Sequence, residues 1–219
     1  MNKQIFLWVW IKSDELELRS SVHLVRTHYP DSVIALVGDK PVNVNIDLYI
    51  PFKQRGNIRA SRVTSAVLHA SEQCEDFILM YDDIFLNTGF DFKTALYKGD
   101  LKREKPNGNY QQCVVNSRMF LEHHGKPTKN YECHQPQLIN GRMLIELMEL
   151  VEWQDNYHLI KSLYFNWYDT PFLKSRNLKT PTGHEAKRLF EEHRCFSSCG
   201  GLRHDLKSYI KALGSCQPL

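Results

Sequence analysis

The chain has 219 residues, 42% of them hydrophobic and 24% charged, and this is an ordinary globular composition at a length that buries a core without disulfide staples. A net charge of +3 permits an anionic partner but lacks the basic excess of a dedicated nucleic-acid binder. No stretch approaches the length of a membrane span, so no membrane insertion is expected, and the length suits one domain.

Ile5 to Ile11 is short, apolar and rich in β-branched and aromatic residues. Lys12, Ser13, Asp14 and Glu15 follow it at once, with no small-residue cleavage site, so it reads as a buried strand and the chain as cytoplasmic. From Asp14 the period changes: Leu16, Leu18, Val22, Val25 and Tyr29 recur at helical spacing, with Ser13 as N-cap and Pro30 as the stop. Val33 to Val37 is a second strand, stopped by Gly38-Asp39-Lys40-Pro41, and Asp47 to Pro51 a short third one. A second helix is expected from Ile58 to Ser71, with Val63, Ala66, Val67 and Ala70 facing inward, and then a strand from Asp76 to Tyr81 that runs into Asp82-Asp83. This alternation predicts an α/β fold with a mostly parallel sheet covered by helices. Ligands of such sheets lie beyond the strand C-termini, and Lys12, Asp14, Gly38, Asp39, Lys40, Asp82 and Asp83 collect there.

The second half is less regular. Lys98 to Asn109 is polar and turn-rich, with Pro106 to Asn109 as a loop. Leu138 to Trp153 predicts an amphipathic helix with Leu138, Ile139, Met143, Leu144, Leu147, Met148 and Val151 on its apolar face. Glu185 to Leu213 predicts a helical C-terminal part around a turn at Gly200-Gly201. The six cysteines are scattered and read as free thiols. His193, Cys195, Cys199 and His204 are close in sequence, but their spacing matches no common zinc pattern, and inward packing is the preferred reading.

Chemistry is concentrated at Asp82-Asp83. Adjacent carboxylates at a strand end repel each other unless a cation lies between them, and Mg²⁺ or Mn²⁺ favours such hard oxygen ligands and completes its shell from water and substrate phosphate. His134, in Cys133-His134-Gln135-Pro136 ahead of the expected helix, is a candidate third ligand, phosphate contact or proton carrier. Arg59 and Arg62, one helical turn apart, are candidates to neutralise a diphosphate, and Lys12, Arg19 and Lys40 are further ones. No glycine-rich phosphate loop and no serine nucleophile elbow occurs.

Several of these segments resemble, in order, the conserved regions of Stealth-type sugar and sugar-phosphate transferases. Asp14 to Ser21, His28-Tyr29-Pro30 and Val37 to Pro41 are similar to the first region. Glu75 to Leu86 is similar to the second, with Tyr81 where the family usually has Asn. Cys133 to Pro136 resembles the third, Ser162 to Asn166 the later Tyr-x-Asn region, and Phe196-Ser197-Ser198 a terminal Phe-Ser segment. The resemblance implies a GT-A-like fold acting on a nucleotide-activated sugar, with residues 1–100 as the donor-binding half and 101–219 as the acceptor-binding half. It also implies Mn²⁺ or Mg²⁺ at Asp82, Asp83 and His134, and a nucleoside cradled by Trp10, Lys12, Gly38, Asp39 and Lys40.

Many Stealth proteins transfer sugar-1-phosphate to capsule or other glycan acceptors, and compact relatives occur in tailed phages, where a hydroxymethylated DNA base is the implied acceptor. Two enzyme readings follow: glycosyl transfer from a nucleoside-diphosphate sugar, with Asp14 or Asp100 as the base if the anomeric centre inverts, and sugar-1-phosphate transfer. A third reading is a non-catalytic nucleic-acid-binding module that stacks bases on Tyr110, Tyr131, Trp167 and Tyr168.

Overall fold

An apolar run with bulky residues on both sides has two faces to bury, and Ile5–Trp10 (β1) buries both. The computed structural model describes residues 3–12, 15–53, 59–104, 108–153, 157–168, 170–199 and 203–215. In it, Phe6, Trp8 and Trp10 enter one hydrophobic cluster, while Leu7 and Val9 enter another on the opposite side of the sheet. From β1 the chain passes through Glu15–His28 (α1) to Val33–Gly38 (β2) and Leu48–Pro51 (β3), then through Arg59–Ser71 (α2) to Asp76–Tyr81 (β4). These elements agree closely with the sequence pattern, although Ser13 and Asp14, the expected start of the first helix, lie outside the described residues. Glu15 and Glu17 in its first turn and Arg26 and His28 in its last suit the helix dipole.

The four strands are parallel, in the order β3-β2-β1-β4. α1 packs in the cluster with Trp8, and α2 packs in the cluster with Leu7. The chain first adds strands on one side of β1 and then places β4 on the other. That reversal opens a crevice between the C-terminal ends of β1 and β4.

After β4 the chain turns at Asp82-Asp83 into Ile84–Leu86 (β5), followed by Ala95–Tyr97 (β6) and Gly99–Asp100 (β7). Next come a 3₁₀ turn at Leu101–Arg103, Asn109–His123 (α3) and Lys129–Asn130 (β8). Gln137–Asn140 (β9) and Gly141–Leu150 (α4) lead to Ile160–Trp167 (α5), Phe172–Lys174 (β10) and Lys179–Thr180 (β11). Gly183–His193 (α6), Cys195–Ser198 (β12) and His204–Ser215 (α7) complete the order.

Three expectations are corrected here. The helix expected from Leu138 starts instead at Gly141, and Leu138 and Ile139 belong to β9, an edge strand antiparallel to β4. A short apolar run before a helix is ambiguous in period, and the cap decides it: Met143 N donates to Asn140 Oδ1 at 2.9 Å, and Asn140 Nδ2 donates to Asp76. In the C-terminal part a strand, β12, interrupts the expected helices. It pairs antiparallel with β5 and parallel with β11, and Phe196 stacks on Phe85 at 4.7 Å. Cys195 is thereby fully buried, and no zinc-like cluster occurs among the described residues; Gly200 and Gly201 lie outside them. The polar segment from Lys98 to Asn109 contains β7, which pairs with β8, and a 3₁₀ turn before α3 begins at Asn109; Pro106 and Asn107 of the expected loop lie outside the described residues. Two of the buried positions of α3 are Cys113 and Ser117, so its apolar periodicity is faint in the sequence.

No helix among the described residues is long and apolar enough to cross a membrane. The β9–α4 junction yields a stability test. A Cβ on Gly141 would stand 2.5 Å from Cys74 O and 3.0 Å from Ser71 O, both backbone atoms. Gly141→Ala is expected to lower stability by about 1–3 kcal/mol in urea unfolding. Gly99→Ala, where a Cβ meets nothing within 4 Å, should stay within about 0.5 kcal/mol of the wild type.

Candidate active site

A cavity of about 670 Å³ opens at the crevice between β1 and β4. Val9, Ile11 and Lys12 come to it from the end of β1, and Tyr81, Asp82 and Asp83 from the end of β4. The first turns of α2 add Arg62 and Thr64, and α5 with its approach adds His158, Ile160 and Lys161. Glu132 and His134 come from the segment before β9, and Lys179 from β11.

Asp83 is the most constrained of these side chains. It sits in the turn between β4 and β5, and its side chain is 16% exposed. Its carbonyl accepts from Ser198 N at 3.0 Å, which ties the turn to β12. Its Oδ2 lies 3.1 Å from His134 Nδ1 and accepts from Lys179 Nζ at 3.2 Å, while its Oδ1 is buried with no hydrogen-bond partner among the described residues. Burial by itself raises the carboxyl pKa. The hydrogen bond and charge of His134, with the ammonium of Lys179, outweigh burial and bring it down to about 2.

These observations bear on the divalent cation. Asp83 Oδ1 is a desolvated carboxylate oxygen without a partner among the described residues, and Asp82 lines the same cavity, so two adjacent residues offer the hard oxygen donors such an ion takes. Among the described residues no group of three His, Cys, Asp or Glu side chains is arranged to hold an ion by itself. Asp82, Asp83 and His134, the expected set, all line the cavity. His134 Nδ1 is turned to Asp83 Oδ2 and orients that carboxylate. His134 also stands in the loop ahead of β9, away from the helix N-terminus expected for it.

The segment carrying His134 is held to α5. Tyr131 N donates to Ser162 Oγ at 3.1 Å, and Glu132 Oε1 accepts from Ser162 N at 2.9 Å and from its Oγ at 3.2 Å. Lys161 Nζ donates to Cys133 O and lies 5.5 Å from the centre of the Tyr81 ring. Lys161 is a buried lysine: burial pushes its pKa down, against the pull of Glu132 and Asp83. Tyr110, on the same cavity, has its hydroxyl pKa pushed up, first by burial and then by Glu132 and Glu104.

Of the residues singled out in the sequence, Lys12, Arg62, Asp82, Asp83 and His134 line this cavity. Gly38, Asp39, Lys40 and Trp10 do not line it. Asp39 Oδ2 accepts from Lys12 N at 2.7 Å and Asp39 N donates to Trp10 O, so Asp39 clips the ends of β1 and β2 together. Gly38 takes a φ of +124°, which an L side chain rarely adopts, and its carbonyl accepts from Tyr49 Oη. Lys40 lies over the Tyr49 ring, and Trp10 is buried in the cluster on the α1 side of the sheet. Arg59 opens α2, but its side chain, like all of Asp14, lies outside the described residues. Asp100 caps the 3₁₀ turn through Lys102 N and accepts from Thr128 Oγ1, away from the cavity. Of the four aromatic residues considered for base stacking, only Tyr110 lines the cavity, and Tyr131 is in the core.

Sequence reasoning missed Glu132, His158, Lys161 and Lys179. The first three lie in segments without a recognised signal, although Ser162 to Asn166, noted for the Stealth resemblance, begins next to Lys161. Asp82, Asp83 and His134 line the cavity, Ser162 holds Glu132 beside it, and Phe196-Ser197-Ser198 belongs to the strand beside Lys179.

His158 supplies a pH test. Burial lowers its pKa from 6.5 to about 4, and its Nδ1 has no hydrogen-bond partner among the described residues. Below pH 6.5 the unfolded chain takes up this proton first, so the contribution of neutral His158 is complete above pH 6.5 and lost as pH falls through about 4. The loss amounts to about 3 kcal/mol, read from urea midpoints between pH 7 and pH 4. His158→Gln should remove that part of the acid sensitivity.

No family model and no curated protein matches the chain. Among solved structures, it is similar to a glycosyltransferase involved in the glycosylation of the major capsid of PBCV-1, with 10% identity and a TM-score of 0.48 over 96% of this chain and 100% of that one. It is also similar to mouse xyloside xylosyltransferase 1 in its apo form, with 9% identity and a TM-score of 0.40 over 92% of this chain and 99% of that one.

Proposed function

We propose, from the residues of the cavity, that this chain is a GT-A-like glycosyltransferase. It takes a sugar from a nucleoside-diphosphate donor and passes it to an acceptor hydroxyl, with Mn²⁺ or Mg²⁺ at Asp82 and Asp83. The observation that carries the reading is Asp83 at the β1/β4 crevice, with one oxygen committed to His134 and Lys179 and the other left without a partner among the described residues. A bound divalent ion supplies Lewis-acid stabilisation of the leaving diphosphate. The chain's own residues do the rest. Lys179 and His134 fix the orientation of Asp83. Lys12 and Arg62 bring positive charge to the donor phosphates, and a phosphate oxygen satisfies the buried Nε of Arg62, which has no partner among the described residues. The cavity volume suits a ligand of nucleotide-sugar size, within the range of roughly 300–1,000 Å³ common for small-molecule sites. The acceptor hydroxyl belongs to a glycan or to a hydroxymethylated base of DNA, and Tyr110 offers an aromatic face for either.

The test is nucleotide release from a panel of nucleotide sugars, with Mn²⁺, Mg²⁺ or a chelator, for wild type and Asp83→Asn. Metal-dependent release of nucleoside diphosphate is expected, lowered about 100-fold or more in the variant. Release of nucleoside monophosphate would instead establish attack on phosphorus and a sugar-1-phosphate transferase. Salt-sensitive DNA binding with no turnover and no metal effect would establish the nucleic-acid-binding module.

A further inference from the structure

Three carboxylates line the cavity among the described residues, and the donor reading uses only Asp82 and Asp83. The third, Glu132, stands on the same wall as His134. From Tyr131 to His134 burial alternates: Tyr131 and Cys133 are in the core, while Glu132 and His134 are half-exposed and face the cavity. Cys133 N donates to Tyr131 O at 2.7 Å, so the chain turns tightly about Glu132 and carries its side chain out of the core. His134 touches Asp83, and Glu132, two residues before it, lines the same cavity. A carboxylate that lines the cavity beside the Asp83 corner, without being one of the aspartate pair, suits a base for an acceptor hydroxyl.

Glu132 is also held in one orientation. Its Oε1 accepts from Ser162 N and Oγ near the N-terminus of α5, and its own N donates to Asn130 Oδ1 at 2.9 Å. Both hydrogen bonds to its side chain among the described residues go to Oε1, which leaves Oε2 for a ligand. Asp100, the other described candidate base, is spent on capping elsewhere.

We propose that Glu132 is the general base that activates the acceptor hydroxyl, and that the transfer inverts the anomeric centre; this rests on the transferase reading above. Oε2 takes the hydroxyl proton as the acceptor oxygen bonds to the anomeric carbon. The bond from that carbon to the donor phosphate oxygen breaks on the opposite face, and its electron pair leaves with the nucleoside diphosphate. Glu132 then returns the proton to solvent.

The test uses a donor that the wild type hydrolyses, so the natural acceptor need not be known. Glu132→Gln keeps an acceptor oxygen for Ser162, and Glu132→Ala removes the side chain. Both variants are expected to lose about 100-fold or more of the water-supported turnover while binding the donor within about twofold of wild type. Azide attacks without giving up a proton, so it should restore turnover in both and give a glycosyl azide of inverted configuration by NMR, but should not rescue Asp83→Asn. Retention of configuration by the wild type would overturn the assignment, as would wild-type hydrolysis by the Glu132 variants or a failure of azide to rescue a variant that still binds donor. Absence of turnover with every donor in the wild type would instead overturn the transferase reading, and this one with it.

Discussion

A carboxylate withdrawn from water at a tight turn has to be compensated, and around Asp83 two distant parts of the chain supply the compensation while a third holds the turn. Lys179 arrives on β11, His134 on the loop before β9, and the turn itself is tied down by Ser198 of β12. Burial alone would favour the protonated acid, and the two partners reverse that preference. Lys179 is in place because β11 pairs with β12 and β12 with β5, the strand that begins directly after Asp83. β5 is anchored in turn by a buried chain of donors: Trp8 Nε1 donates to Ser21 Oγ, which donates to Ile84 O. A small satellite sheet thus exists at the point where a charge needs a partner.

The same corner lies where the central sheet changes the direction in which strands are added. Such a reversal leaves strand ends facing open space, because the flanking connections diverge to opposite faces. α5 closes the far side of that space and holds the segment from Tyr131 to Cys133 through Ser162 and Lys161. The resulting cavity carries Lys12, Arg62, Lys98, Lys161 and Lys179 against Asp82, Asp83 and Glu132. A positive excess around these carboxylates gives the cavity an electrostatic environment that suits an anionic ligand.

Much of the fold was legible in the residues. β1, β2, β4, α1 and α2 are readable because a strand buried on both faces is a short continuous apolar run and a helix with one buried face repeats its apolar residues every three to four positions. The place of the Asp82-Asp83 pair was legible as well, since two charged residues directly after an apolar run end the strand. β9 was not, because Leu138 and Ile139 fit the helical period of the residues that follow, and only the Asn140 side chain separates the two elements. β12 was missed because the residues Cys195–Ser198 pair only with segments remote in the chain.

The sequence by itself determined the elements of the first half, their parallel α/β class and the place of the carboxylate pair at a strand end. These follow from local period and composition, which need no knowledge of distant residues. Tertiary structure alone decided that Lys179 and His134 flank Asp83, that Glu132 shares its wall, and that Asp39 serves a strand junction instead of the cavity. Partners such as Lys179 and Asp83 are 96 positions apart. Nothing in the neighbourhood of either residue encodes such a meeting, because it depends on how whole strands and helices pack.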